Sequence, residues 1–174
     1  MSKMKIGELS KEIDDGNIKL VNESITRNGA LIEEISNKII KEHISDLDTF
    51  VDKITDVLND EKSPNLTSEE LEQALLRLTT LLYYAVDKAE SVGIKADIST
   101  AVRKEVYNAA IVTVEGTINE KTAKADDESI SERIVEIAYT RAYNKIKNRI
   151  QIGLEMQATL KKIMSRRMES VVKE

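Results

Sequence analysis

The chain has 174 residues, 33% of them charged and 41% hydrophobic, with five Tyr, one Phe, no Trp and no Cys. The missing Cys excludes a disulfide scaffold, a thiolate zinc site and a cysteine nucleophile, and the shortage of aromatic rings leaves packing to Leu, Ile, Val and Ala, as in bundles and coiled coils. Net charge is −5, yet residues 141–174 carry nine Lys or Arg against three acids, which leaves −11 on the rest of the chain.

In chain order, residues 1–22 form an N-terminal segment of weak pattern. Ile6, Leu9 and Ile13 fit one face of a short helix, and Asp14-Asp15-Gly16-Asn17 reads as a turn. No apolar leader region and no run of 18 uncharged apolar residues occurs, so neither a signal peptide nor a membrane span is expected. Residues 23–95 read as a helical hairpin. A helix is expected from about Ser24, and Ile40, Ile44, Leu47, Val51, Ile54 and Leu58 follow alternating steps of 4 and 3, a heptad seam. It should end near Asn59-Asp60, with Ser63-Pro64-Asn65 as the turn.

The next helix carries a capping box, Thr67 with Glu70, and a hydrophobic staple, Leu66 with Leu71. Its seam runs Leu71, Leu75, Leu78, Leu82, Ala85, Ala89, Val92, and Gly93 is placed to end it in the left-handed conformation. The two seams suit an antiparallel hairpin or pairing of each helix with another subunit. Residues 96–174 read as long helices with a basic C-terminal arm. A third helix is expected after Asp97 or Ser99, through Val102, Val106 and Ala109 to about Thr122, with Gly116 inside it at a cost of about 1 kcal/mol relative to Ala. Asp126-Asp127-Glu128-Ser129 reads as a break, with Ser129 and Glu132 as a second capping box. It holds neither Gly nor Pro, so segments 98–122 and 130–171 are either two helices or one bent helix. At about 1.5 Å per residue the last would run roughly 60 Å, which predicts that part of it packs on another subunit. The fold class expected is all-α: an elongated helical hairpin or bundle with coiled-coil seams and a long C-terminal helix.

The basic arm is the one constellation with functional content. At about 100° per residue, Arg141, Lys145, Arg149, Lys162, Arg166, Arg167 and Lys173 fall in an arc of roughly 140°. Tyr139, Ala142, Ile146, Ile150, Gly153, Leu160, Met164 and Met168 fill a neighbouring arc of about 80°. The basic arc suits a phosphate backbone, whose counterions it would release, with Tyr143 as a stacking platform for bases; it suits equally a solvated face or an acidic protein neighbour. Ile146, Ile150, Leu160 and Met164 are the residues expected to drive homo-oligomerisation. His43 with Glu42, Asp46 and Asp48 does not make a metal site, because a dimetal bundle needs Glu-x-x-His on two helices. Asp14-Asp15-Gly16-Asn17 lacks the spaced ligands of a calcium loop. No Gly-rich phosphate loop, G-x-S-x-G or H-E-x-x-H is present, so no catalytic residue, cofactor or small-molecule substrate is expected.

The stretch Ile134–Met168 (Tyr139, Ala142-Tyr143, Lys147, then Leu160-Lys161-Lys162-Ile163 and Arg166-Arg167) resembles the helical ends of small bacteriophage accessory proteins, and is similar in style to UvsY-type recombination mediators. The resemblance covers about residues 68–170. It implies an oligomeric, non-catalytic protein of the host cytoplasm that binds single-stranded DNA and helps load a recombinase. Phage scaffolding proteins share the long-helix, Cys-free, acidic character and imply the alternative, an assembly protein whose basic helix docks on an acidic partner.

Overall fold

The computed structural model describes residues 6–59 and 66–171, with side chains placed over 18–59 and 66–168. Among these residues there are four helices and no strand: α1 (Ile6–Asn59), α2 (Ser68–Thr113), α3 (Ile118–Glu128) and α4 (Ile130–Val171). The expected turn at 63–65 and the side chains of Ile6, Leu9, Ile13 and Lys173 lie outside the described residues.

In α1 the expected turn at Asp14–Asn17 is absent, because the helix passes through it. The one interruption is Ile44, at φ −134° and ψ 15°. Its cause is visible in the buried face. Ile32, Ser36 and Ile39 are spaced 4 and 3, and Ile44, Leu47, Val51 and Ile54 resume with 3, 4 and 3, but 39 to 44 is a step of five. One residue too many lies between two in-phase seams, and the backbone absorbs it at Ile44. Beside the kink His43 Nδ1 donates to the Ile39 carbonyl oxygen at 2.8 Å.

The start of α2 follows its sequence signature. Glu70 N–H donates to Thr67 Oγ1 at 3.2 Å, Thr67 N–H donates to Glu70 Oε2 at 2.7 Å, and both staple residues join the core. Its end does not follow the expected pattern. The helix continues through Gly93 to Thr113, since the heptad seam continues past Val92 with Ala96, Ser99 and Ala110, all buried. Gly93 is used for close approach: the Tyr143 ring lies so near that a Cβ there would sit 3.0 Å from Cε2. The real break is at residues 114–117, where Gly116 takes φ +134°, a conformation that side chains with a Cβ strongly disfavour. Thr117 and Glu120 then form a second capping box, with Thr117 N–H donating to Glu120 Oε2 at 2.8 Å. Between α3 and α4 only Ser129 leaves helical geometry (φ −97°, ψ 8°). Its hydroxyl donates back to the Asp126 carbonyl at 3.3 Å, so it does not form the expected box with Glu132. α3 and α4 are thus nearly one bent helix, whereas the expected segment 98–122 is split by the chain reversal at 114–117, twelve residues before the acidic run 126–129.

α2 runs antiparallel to α3 and α4, as the ladder Thr100 with Glu136, Gly93 with Tyr143, Leu82 with Gly153 and Thr79 with Gln157 shows. α1 runs parallel to α4, with Ser36 on Ala138 and Asp48 on Arg149. Where the three meet, Leu47, Leu71, Leu78, Val92, Ile146 and Leu160 are fully buried, each contributing about 1.5–3 kcal/mol by removal from water. The expected oligomerisation residues belong to this core. Ile146 and Leu160 are inside it, and Ile150 and Met164 pack against it. They are corrected to intrachain packing: the third helix covering them is α1 of the same chain.

Candidate nucleic-acid interface

The helix register of α4 decides which of its cations reach solvent. Ala138, Ala142, Ile146, Gly153 and Leu160 turn inward, and this carries Arg141, Lys145, Lys162 and Arg166 to the outside, all exposed. Among the described residues Arg141, Lys162 and Arg166 make no ion pair, and Lys145 Nζ donates to Asn37 Oδ1 at a long 3.4 Å. Between Ile137 and Met168 the sole acid is Glu155. The cations form two groups rather than one stripe. Lys145 and Lys162 are 17 positions apart, about 25 Å along the axis, and on the same flank Asn148, Ile152, Glu155 and Thr159 fill the interval.

Three expected site residues are engaged elsewhere. Arg149 sits 3.4 Å from Asp48 of α1. Burial pushes the Asp48 carboxyl above its ordinary value, with Arg149 pulling the other way and Asp52 adding to the rise. That ordering marks the ion pair as weak. Arg167 is half-buried and donates to the Leu66 carbonyl oxygen, tying α4 to the start of α2. Tyr143 is half-buried over Gly93, packs on the core, and has the Lys147 ammonium 5.3 Å from its ring centroid. A ring covered this way offers no face to a base.

The exposed rings are on α2. Tyr83 and Tyr84 are 68% and 60% exposed and meet edge-to-face with centroids 5.8 Å apart. Leu82 packs on Gly153, and Gln157 Nε2 donates to Thr79 Oγ1 at 2.6 Å. Thr79 and Tyr83 are one turn apart on α2, so Tyr83 shares the α4-facing edge, at the level of residue 153. The basic groups lie on the other flank of α4, toward α1, where Lys145 meets Asn37 and Arg149 meets Asp48. The signal was in the heptad register: Tyr83 follows a seam position, Leu82, and must point outward.

Among the described residues no three His, Asp or Glu side chains converge as a metal site would require, and no helix is long and apolar enough to cross a membrane. The fold defines an all-α helical bundle. No protein-family model matches the chain, nor does any curated protein or solved structure.

Proposed function

We propose that the protein is a non-catalytic helical binding protein that holds single-stranded nucleic acid along the outer face of α4. The observation that carries this reading is the pair of exposed basic groups on one flank of α4, Arg141 with Lys145 and Lys162 with Arg166. Cations at both ends meet phosphates, which are the same for every sequence, so binding is without sequence preference. The resemblance of residues 134–168 to phage accessory proteins extends the proposal to a role in recombination, with a recombinase as partner. A second reading, docking on an acidic assembly protein, is favoured by the separation of the two groups, since two separate acidic patches would satisfy them.

Binding of a labelled oligonucleotide across a salt series tests the proposal. Four phosphate contacts predict a log–log slope of roughly −3 for a single strand, at about −0.7 per contact. Replacing Arg141, Lys145, Lys162 and Arg166 by Gln should flatten the slope and leave helicity unchanged. No binding at low salt removes nucleic acid as the ligand and leaves the acidic partner.

A further inference from the structure

α1 leaves the bundle before its apolar stripe ends. Ile18, Ile25, Ile32 and Ile39 recur every seven residues, and Val21, Asn28 and Ile35 occupy the complementary positions, a heptad seam. Its C-terminal half is packed: Ile32 and Ile39 are buried, Ile35 lies against the core, and the Ser36 hydroxyl donates to the Ala138 carbonyl oxygen at 3.0 Å. Its N-terminal half has no partner. Ile18, Val21 and Ile25 are 55%, 56% and 63% exposed. The charged residues Lys19, Glu23 and Arg27 sit off the seam and its flanks, where Asn22, Ser24 and Gly29 are uncharged.

The groove that receives α1 also continues without it. Between α2 and α4, on the side α1 occupies lower down, Ile98, Val102, Val135 and Tyr139 line an open apolar trough of about 380 Å³. Lys95, Ser99, Ser131 and Glu132 complete its walls. Stripe and trough are therefore two halves of one interface, each a direct continuation of the packed part and each unfilled. The chain cannot join them itself. α1 is helical from Ile6 to Ile44 without interruption, so residues 18–28 project away from the trough, and turning them back would break helical hydrogen bonds.

We infer that a second copy of this chain fills the trough with its own Ile18–Asn28 stripe, in a reciprocal two-fold exchange. Such an isologous contact closes on itself, because each copy offers both the stripe and the trough. The occupant follows from continuity: the stripe extends the seam that already packs at Ile32 and Ile39, and the trough borders the same helices on which that seam packs. This inference is independent of the nucleic-acid reading.

Sedimentation equilibrium of the full chain should give a dimer. Ile25→Asp and Val102→Asp, each at an exposed position, should each weaken it at least about tenfold by burying an unpaired carboxylate, with unchanged circular dichroism and, at a concentration below dimerisation, unchanged melting. An equimolar mixture of the two variants should regain dimer, since a mixed pair keeps one intact stripe in one intact trough. A monomeric wild-type chain overturns the inference. So does dissociation by Ile25→Asp but not by Val102→Asp, which would mean that stripes pair with each other. A mixture that stays monomeric overturns the reciprocal exchange.

Discussion

The two ends of this molecule use the same residue types with opposite results. At one end α1, α2 and α4 close around Leu47, Leu78, Val92 and Ile146, and seam residues are buried nearly to completion. At the other, Ile18 and Ile25 repeat the same heptad spacing and stand exposed, as do Ile98 and Val102 beside the buried α2 seam. Local sequence does not distinguish them; the number of helices present at each level does. A third helix completes the core below Ile32, and above it only a pair remains, because α1 departs there. A heptad seam is thus a demand for a partner, and the structure shows where the chain meets that demand within itself.

The sharpest way to break the comparison is to place a charge in the three-helix region. Leu78→Asp should unfold the protein, since an uncompensated buried carboxylate costs several kcal/mol against a total stability of about 5–15 kcal/mol; a cooperative thermal melt like that of wild type would refute the core. Leu78→Ala should cost about 2–5 kcal/mol, while Ile25→Ala, at the open end, should change monomer stability by less than about 0.5 kcal/mol. Urea titrations of the two, read at a concentration below dimerisation, measure the contrast directly.

Gly153→Ala tests helix approach within the closed region. Its Cβ would lie 2.7 Å from Leu82 Cδ2, so α2 and α4 must part or Leu82 must leave its rotamer, at about 1–3 kcal/mol. At the open end, Thr117→Ala should cost about 1 kcal/mol through loss of the α3 cap, visible as faster amide exchange in residues 118–121.

The smallest effect is a pH dependence at both caps. Hydrogen bonds from the Thr67 backbone and hydroxyl hold the Glu70 carboxyl below its ordinary value, and those of Thr117 do the same to Glu120. A carboxylate whose folded value is depressed contributes stability that is fully present above its unfolded value and is lost as pH falls through the folded one. Acidification should therefore loosen the first turns of α2 and α3 before the core responds. Asp48 runs the other way: burial raises its value, so its protonation does not contribute to acid loosening. Exchange at residues 68–71 and 118–121 that is independent of pH across the carboxylate range would contradict this.

What the sequence determined by itself was whatever depends on neighbours a few positions away. The Leu71–Val92 seam and the Thr67 capping box are local patterns that appear in the structure as read, and the Ile40–Leu58 seam does so from Ile44 to Ile54, with Ile40 half-buried and Leu58 exposed. The Thr117–Glu120 box has the same local spacing directly after Gly116 and marks the helix start, whereas the acidic run at 126–128 is compatible with helix. Gly93 could not be judged locally: a glycine there suits a helix end or a close contact, and only the Tyr143 ring opposite decides between them. The basic arc has the same origin. Rotation about one helix places Arg141, Arg149 and Arg167 together, but Asp48 on α1 and the Leu66 carbonyl before α2 withdraw two of the three. Tertiary structure decided which apolar and which charged groups remain available, because availability is set by what another helix brings to the same level, and that is a contact between residues about a hundred positions apart.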